Sequence, residues 1–420
     1  MPGDYGINPA YSMKAVEHIV ISDMHFSVRS SQASVDGFCA FLDALARESG
    51  PGAKVSLIIA GDFFNLDLLE PDGRADAAAP HPVTTLRRIL ERFPSIPRSL
   101  ATFLSRGNEV RLLGGNHDIE LFHPDVQEAF RDAVVAHRPQ AAGEGLDGID
   151  LSSPDALRIG GTVHVEHGNR FDGDNIFEPE SFRRVLCGRE PVFPLGSCME
   201  RRLLSTIPQL NYDGFSAATP WPLLTTILRR HGLTGGLNII TRYFVTAFGL
   251  MSESFRRRTG RRRREGEGAE ATLDSPAKTF ARLYLDRSLA FIFLLLWLAA
   301  APLLLLHAAA VWLTVLGLLG VFFLASFLEG NRYGHAAAMT CREGARAILR
   351  SDGVTTVILG HTHSPEKTRF DGGAVYLNTG SFAVPARDGL PYVRVRHASG
   401  ETRAELEFFR CGGGPGGRPA

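Results

Sequence analysis

Cysteine is scarce in this chain of 420 residues, which contains five cysteines and no Cys-x-x-Cys pair. Disulfide-rich secreted domains and cysteine-ligated zinc modules both need closely spaced cysteines. The pattern therefore excludes these two classes and favours a reducing compartment.

The chain also lacks a net charge, since 45 Lys and Arg balance 45 Asp and Glu. A strongly basic chain would attract nucleic acid as a whole, and because this one does not, no nucleic-acid partner is expected. Residues 1–12 have neither a basic start nor an apolar run. No signal peptide is predicted there, and the chain is expected to start in the cytoplasm.

Residues 289–328 contain no Asp, Glu, Lys or Arg and are rich in Leu, Phe and Ala. A single membrane span needs roughly 20 apolar residues, so this length predicts two helices that reverse near residues 302–307. Seven arginines lie shortly before this run, within residues 256–264. Their position favours anionic lipid headgroups over nucleic acid and places that side of the membrane in the cytoplasm.

Metal-ligand side chains follow several of the predicted strands. Asp23 and His25 come directly after the apolar stretch of residues 16–21. Residues two apart in an extended segment point to the same side, so both can grip one ion. Similar groups follow later apolar stretches: Asp62, then Asn116 with His117, then His167, and finally His361 with His363. The alternation of strands and helices indicates a buried sheet, and these side chains are expected to meet along one edge of it.

The donor types in this set point to a pair of divalent ions. Carboxylate, amide and imidazole together suit manganese, and also iron or zinc, better than the oxygen shell of calcium or magnesium. Two ions about 4 Å apart can clamp a phosphoryl group and generate a hydroxide nucleophile. The expected chemistry is therefore hydrolysis of a phosphate bond without a covalent enzyme intermediate.

Five ordered blocks, DMH, GD, GNHD, HG and GHTH, resemble the pattern of the calcineurin-like metallophosphoesterases. The resemblance covers roughly residues 15–175 and 335–410. It implies an α/β fold, a two-sheet sandwich flanked by helices. The distance between the HG and GHTH blocks and the uncharged run at residues 289–328 predict that an α-helical insert with a transmembrane hairpin interrupts this fold. The resemblance also implies a first ion held by Asp23, His25, Asp62 and His363 and a second held by Asp62, Asn116, His167 and His361. Asp62 would bridge the two ions, and His117 would act as the catalytic general acid or charge stabiliser.

The block after Asp62 departs from that of the Ser/Thr protein phosphatases, which reads G-D-x-x-D-R. Here Asp62 is followed by Phe63, Phe64 and Asn65, so the acidic partner of the catalytic histidine is predicted to be missing and a protein substrate is disfavoured. The Gly-Asp-Phe-Phe-Asn run and the late Leu-Asn-Thr-Gly-Ser run at residues 377–381 are closer to the bacterial UDP-diacylglucosamine pyrophosphatase branch. That branch typically has arginine where this chain has His117.

Four further residues near the blocks carry polar side chains. Asn65, Asp118 and Arg170 are candidates for substrate binding. His164 lies on the strand before His167, and whether it contributes to the site is left open. His167 is favoured as the ligand because Gly168 follows it and because it clears the strand end.

The chain divides into five predicted segments. They are residues 14–177, the first part of the metallophosphoesterase domain; 178–284, a helical, partly basic insert; 285–330, the transmembrane hairpin; 331–411, the second part of the domain; and 412–420, a disordered tail. The alternation in residues 392–409 predicts strands that close a second sheet. Since ligands lie on both sides of the hairpin, the number of membrane crossings is expected to be even.

The predicted function is that of a membrane-anchored, binuclear metal-dependent phosphoesterase. It would hydrolyse a phosphoester or pyrophosphate bond of a lipid or lipid-linked substrate at the inner, cytoplasmic membrane, with the catalytic domain in the cytoplasm. Two alternatives remain open. One is a membrane-tethered sensor or scaffold that binds a phosphorylated ligand without turnover, and the other is a phosphodiesterase for soluble nucleotides.

Overall fold

The structure is a computed structural model that describes residues 16–48, 54–68, 81–139, 148–152, 155–202, 220–260, 275–283, 285, 312, 314–320, 322, 334–351, 353–383, 388–398 and 401–410. The strands are β1 (Val16–Ile21), β2 (Lys54–Ala60), β3 (Glu109–Leu113), β4 (Ile149–Asp150), β5 (Ala156–Ile159), β6 (Val163–Glu166), β7 (Thr356–Leu359), β8 (Glu366–Arg369), β9 (Val375–Asn378), β10 (Leu390–Ala398) and β11 (Glu401–Phe409). The helices are α1 (Gln32–Glu48), α2 (Pro82–Arg92), α3 (Ser95–Ser105), α4 (Pro124–Val135), α5 (Pro179–Leu186), α6 (Leu195–Arg202), α7 (Pro220–Gly260), α8 (Pro276–Arg282) and α9 (Gly334–Leu349).

The first sheet has the strand order β11-β10-β1-β2-β3-β4. Strands β1 to β4 are parallel, whereas β10 runs antiparallel to β1, with His18 opposite Val395. The prediction that the carboxyl-terminal strands close a second sheet is therefore wrong. Their alternating pattern identifies them as strands, but it carries no information about which distant strand they join.

The second sheet has the order β5-β6-β7-β9-β8, with β6, β7 and β9 parallel. The strands before His167 and His361 belong to this sheet, while those before Asp23, Asp62 and Asn116 belong to the first. The expectation that all ligands share one edge of one sheet is also wrong. They meet instead where the carboxyl ends of strands from two facing sheets converge.

Alternate residues of each central strand serve two hydrophobic layers. In β1, Val20 lies between the sheets, where it clusters with Ile358 and Leu377 of the second sheet. Ile19 and Ile21 face the other way, into a core shared with helices α1 to α4. Helix α9 covers the outer face of the second sheet through a cluster that includes Cys341. The result is the expected two-sheet α/β sandwich with helices outside, and it fixes the strand ends that carry the site.

Helices α6, α7 and α8 form a small core of their own, made by Leu195, Cys198, Ala247, Leu250, Leu283 and Leu285. Helix α7 is broken at Gly232, whose φ of 65° and ψ of −174° are not helical. Beyond this break, α7 exposes large apolar side chains: Leu233 is 83% exposed, Leu237 65% and Phe248 59%. The insert therefore packs as a helical unit while leaving apolar surface in contact with solvent.

No described helix is both long enough and apolar enough to span a bilayer. The structure thus gives no support to the predicted transmembrane hairpin. Of residues 289–328, only 312, 314–320 and 322 are described, so most of that prediction lies outside the described residues. The predicted tail at 412–420 lies outside them as well.

Candidate metal centre

The loops after β1 and β2 are joined by their backbones, which fixes the relative position of the first predicted ligands. The amide of Asp23 donates to Gly61 O at 3.2 Å, and the amides of Met24 and His25 both donate to Asp62 O at 2.9 Å. Since parallel strands β1 and β2 end at the same level, these bonds continue their pairing into the loops. These hydrogen bonds therefore fix the positions of Asp23, His25 and Asp62 relative to one another.

Five of the predicted ligands share an uncommon backbone conformation. Asp23, His25, Asp62, His361 and His363 have φ values between 49° and 68°, and they are the non-glycine residues with positive φ among those described. This left-handed region is sparsely populated by residues with a Cβ and costs on the order of 1–3 kcal/mol each. The surrounding sheets stabilise it, and it turns the chain back sharply enough to aim several side chains into one space.

The first group of donor atoms contains Asp23, His25 and His363, whose ligand atoms lie within 4.8 Å of one another. Nε2 of His25 is 2.9 Å from Nε2 of His363, and the latter is 3.2 Å from Asp23 Oδ1. Asp62 Oδ2 lies 3.7 Å from His25 Nε2. The structure therefore brings together all four residues that the resemblance assigned to the first ion.

The second group contains Asp62, His167 and Asn116. Nε2 of His167 is 3.2 Å from Asp62 Oδ2 and 3.1 Å from Asn116 Oδ1. The other ring nitrogen, Nδ1, lies 2.9 Å from Ala60 O, which can only accept a hydrogen bond. A proton on Nδ1 leaves the lone pair of Nε2 for an ion, which is the usual arrangement of a ligating histidine.

His361, the fourth predicted ligand of the second ion, lies beside this group. Its amide donates to Asp23 Oδ2 at 2.9 Å, and its ring centroid is 5.2 Å from that of His167. Nε2 of His361 lies 3.1 Å from Asp172 Oδ2, so the carboxylate of Asp172 holds the ring. Burial acts to raise the pKa of Asp172, but His361 outweighs it and the pKa falls to about 2. The sequence marks Asp172 as a residue that either contacts substrate or caps a helix, and the structure shows it as the anionic partner of His361.

Glycines beside the ligands allow this close approach. A Cβ on Gly115 would lie 2.0 Å from Asp62 Oδ1, and one on Gly61 would lie 2.6 Å from the His167 ring. Gly61 also has a φ of 85°. No side chain fits at either position without displacing a predicted ligand.

His117 lies next to Asp62 and has two acidic partners. Its amide donates to Asp62 Oδ1 at 2.9 Å. Its ring Nδ1 lies 3.2 Å from Asp67 Oδ2 and 3.1 Å from Glu200 Oε2. The prediction that the acidic partner is missing is therefore wrong, because one acid stands two residues past Asn65 and the other comes from α6.

Arg201, the residue after Glu200, supports this acidic pair from behind. It forms ion pairs with Asp67 and with Glu120, and its guanidinium lies 3.7 Å from the centroid of the Phe193 ring. Its side chain is 12% exposed. A buried arginine with two carboxylate partners is fixed in place, since desolvation makes an unpaired charge there costly.

The charges of the site shift its pKa values strongly. Burial acts to lower the pKa of His117, but Glu200, Asp62 and Asp67 outweigh it and raise that pKa well above its usual value. Burial also acts to lower the pKa of His167, but the charges of Asp62 and Asp23 outweigh it and raise this pKa to about 9. The pKa of His25 falls to about 4 because the ring is buried. The carboxylates thus create a field that favours positive charge, while the His25 ring stays neutral.

The donor set fits divalent metal ions. Ligands about 2.1 Å from a common ion lie roughly 3 Å apart, which is the spacing of the donor atoms in both groups. Oδ1 of Asp23 is fully buried and accepts no hydrogen bond, yet it faces the ring of His363. A buried carboxylate oxygen without a hydrogen-bond donor is costly unless a cation satisfies it. The residues present therefore match the predicted ions.

The three candidates for substrate binding have other partners in the structure. Asp118 is fully buried, and its oxygens accept the amides of Gly115, Asp62, Phe63 and Phe64. Asn65 is also fully buried, accepts the amides of Asp67 and Leu68, and donates to Glu200. Arg170 pairs with Glu166 at 2.8 Å. The first two support the loops of the site from beneath, and the third belongs to its surroundings.

The sequence left open whether His164 contributes to the metal site, and in the structure its side chain contacts Glu166 instead. Its Nε2 lies 2.7 Å from Glu166 Oε2, on the same strand. It belongs to none of the groups of close metal-ligand atoms among the described residues, whereas His167 does.

A further group of ligand-type residues, His81, His123 and Asp125, lies at helix starts. Nδ1 of His81 accepts the amide of Val83 at the start of α2, and Nδ1 of His123 accepts the amide of Asp125 at the start of α4. A neutral ring that accepts at Nδ1 carries its proton on Nε2. These histidines therefore serve as helix caps.

Two convergent groups of carboxylate and imidazole donors, with a histidine held by two carboxylates beside them, characterise a metal-dependent phosphoester hydrolase. The family model of the calcineurin-like phosphoesterases matches residues 19–200, a stretch that contains the predicted site residues Asp23, His25, Asp62, Asn116, His117 and His167. The match ends at residue 200, within α6, yet His361 and His363 lie far beyond it in sequence and still join the site. The comparison with curated proteins gives no significant match.

Proposed function

We propose that the protein is a two-metal phosphoesterase, anchored to the membrane, that hydrolyses a phosphoester or pyrophosphate bond of a lipid or lipid-linked substrate. The hydrolytic part of this proposal rests on two groups of close metal-ligand atoms. One contains Asp23, His25 and His363, the other contains Asp23, Asp62 and His167, and Asp23 is common to both. Manganese is the proposed metal, with iron and zinc as ions that suit the same donors.

Two divalent ions held by these residues would supply Lewis acidity toward the phosphate and an activated water. Asp62 would be shared by both ions, because its Oδ2 lies near His25 and near His167. His117 would donate a proton to the leaving oxygen from Nε2, since Nδ1 is engaged by Asp67 and Glu200. Asp118 keeps the loop after β2 in position throughout.

The test of the hydrolytic part is metal removal from the full-length protein. Chelation is expected to abolish hydrolysis of 4-nitrophenyl phosphate, bis(4-nitrophenyl) phosphate or a pyrophosphate diester, and Mn²⁺ to restore it with two equivalents bound by elemental analysis. Ca²⁺ serves as the control ion, because it prefers an all-oxygen shell and should not restore activity. A metal-loaded protein that hydrolyses none of the three substrate classes would instead support the sensor or scaffold alternative.

Three observations support the membrane part. Leu233, Leu237 and Phe248 are exposed on α7, and Leu237 and Phe248 lie eleven residues apart, which places them on one side of the helix. Seven arginines follow within residues 256–264, and the uncharged run at 289–328 comes next. Apolar side chains flanked by arginines are typical of helices that lie in the interface of anionic membranes.

The proposed topology has two crossings, with the catalytic domain on the cytoplasmic side. His25 and His363 lie on opposite sides of the uncharged run in sequence, and their Nε2 atoms are 2.9 Å apart. Both halves of the site must therefore be on one side of any membrane that the run crosses, which requires an even number of crossings. A substrate that is itself held in the bilayer would explain why an anchor interrupts a catalytic domain.

The preference for a membrane substrate is tested by replacing both Leu237 and Phe248 with Ser. The variant is expected to lose roughly tenfold or more in kcat/KM for a phospholipid or lipid-linked pyrophosphate in mixed micelles, since each side chain gains about 1.5–3 kcal/mol on full burial. Its activity on the water-soluble headgroup analogue should stay unchanged. Val135→Ser, which changes an exposed apolar residue outside the insert, is the control. Equal activity of parent and variant on both substrates would contradict the lipid proposal.

A further inference from the structure

Glu200 belongs to the site, although no sequence motif predicts an acidic residue of the site at this position. It lies on α6, outside the five sequence blocks, and is 4% exposed. Its Oε2 is 3.1 Å from Nδ1 of His117, and its Oε1 accepts a hydrogen bond from Nδ2 of Asn65. A buried carboxylate held by an amide on one side and an imidazole on the other has a defined orientation.

Asn65 stands where the Ser/Thr protein phosphatases have the acidic residue of their second block. The structure shows that this amide does not replace the acid directly but binds Glu200. The carboxylate function at this place is thus delivered from another part of the chain, and Asn65 supplies the donor that positions it.

Two carboxylates now share one ring nitrogen. Asp67 Oδ2 and Glu200 Oε2 lie at 3.2 and 3.1 Å from Nδ1 of His117. Asp67 is also paired with Arg201 through its other oxygen, so its charge is largely offset. Acceptors on both sides of one N–H restrict rotation of the ring more tightly than a single acceptor would.

The position of Glu200 depends on how the insert packs. Helix α6 is tied to the site by Ser197, whose hydroxyl donates to Asn116 O at 3.2 Å, and by the ion pairs of Arg201. On its other side, Leu195 and Cys198 pack into the core formed with α7 and α8. Arg202 adds an ion pair with Glu253 of α7 at 2.8 Å. The position of the carboxylate is therefore set by the packing of α6 between the catalytic domain and the rest of the insert.

We propose that Glu200 is a positioning residue that orients the His117 imidazole for proton transfer to the leaving group, and that the insert thereby completes the catalytic machinery. This inference rests on the proposed hydrolytic function. It assigns α6 a role in turnover, in addition to any part that the insert has in membrane binding.

The test compares Glu200→Gln with the parent as the full-length, Mn²⁺-loaded protein. Gln keeps the shape but loses the charge and has an NH2 donor in place of one acceptor oxygen, so it cannot accept from both Asn65 and His117, and the ring is held less firmly. On an alkyl phosphoester, whose leaving group needs a proton, kcat is expected to fall about 10–100-fold while KM stays within twofold of the parent value. A general acid contributes about 10²–10⁴-fold to the rate, and a poorly oriented His117 would lose part of that contribution. On the matching 4-nitrophenyl ester, whose leaving group needs little protonation, kcat should fall less than threefold.

Glu180→Gln is the matched control, because it makes the same change at an exposed glutamate of the insert. It should leave both substrates unaffected. Glu200→Asp, which keeps the charge but retracts the carboxylate by one methylene, is the second variant if Glu200→Gln does not fold, and it should show the same dependence on the leaving group. Metal content of every variant is expected to equal that of the parent.

Equal losses on both esters, a change confined to KM, or loss of metal would overturn the role of Glu200, as would full activity of both Glu200 variants. These results are distinct from failure of the proposed function, in which the parent protein itself would hydrolyse neither ester.

Discussion

Asp62→Asn is expected to remove most of the bound metal and all measurable hydrolysis, the largest effect of any single substitution in the site. Asp62 Oδ2 lies near the donor nitrogens of His25 and His167, so both ion positions share this carboxylate. The amide keeps one oxygen but loses the negative charge. We expect affinity for metal to fall by more than the roughly 10–100-fold that loss of an outer-shell partner costs. Elemental analysis and a phosphodiester assay measure the two losses.

The fold itself should survive this change. The amide of His117 donates to Asp62 Oδ1, and an Asn oxygen can accept the same bond. Asp36→Asn makes the same substitution at an exposed position of α1 and serves as the control. Retention of two metal equivalents and parental activity by Asp62→Asn would refute the shared site.

His117→Ala is expected to lower kcat by roughly 100-fold or more, while the protein keeps its metal. The ring lies against His25, with centroids 5.0 Å apart, and one of its nitrogens lies within 4.8 Å of ligand atoms of His25 and Asp62, but its Nδ1 is engaged by Asp67 and Glu200. Its removal should therefore affect proton transfer and leave ion binding intact. Loss of metal together with activity would instead mark His117 as a ligand.

His117→Asn is the companion variant, because alanine leaves two buried carboxylates facing each other. The Asn amide can donate to Asp67 but cannot act as a general acid. Both variants are expected to show the same loss of turnover, and the thermal midpoint should fall further in His117→Ala. Activity of His117→Asn close to that of the parent would show that the imidazole proton is not used.

The ligands could be predicted from the sequence because each comes shortly after an apolar strand, and because Asp62, Asn116, His167 and His361 stand beside glycine. Asp23, Asp62 and His167 combine a local strand signal with a residue type that has few structural roles when it is buried. Strand existence is a local property, and the order of the blocks restricts the fold further. For the same reason, the α/β class and the two-sheet sandwich could be predicted.

Properties set by distant contacts could not be predicted. The pairing of β10 with β1 depends on which strand edge is available after the chain has folded, and residues 390–398 do not encode it locally. Glu200 sits among residues with no motif, and only its burial beside His117 reveals a role. Asp67 did carry a signal, since it is an acid between two leucines in a segment that is buried. A charged residue at such a position needs a partner, here His117 and Arg201.

The separation of the ligands along the chain has a consequence for how the protein is made. His25 and His363 are 338 residues apart in sequence, although their Nε2 atoms are 2.9 Å apart in space. A ribosome that adds about 5–20 residues per second delivers the second histidine roughly 15–70 s after the first. Asp62, Asn116 and His167 are all made within that interval, but the first donor group stays incomplete until its end. Full loading with metal must therefore follow synthesis of His363, and products that terminate before this residue remain without a complete site.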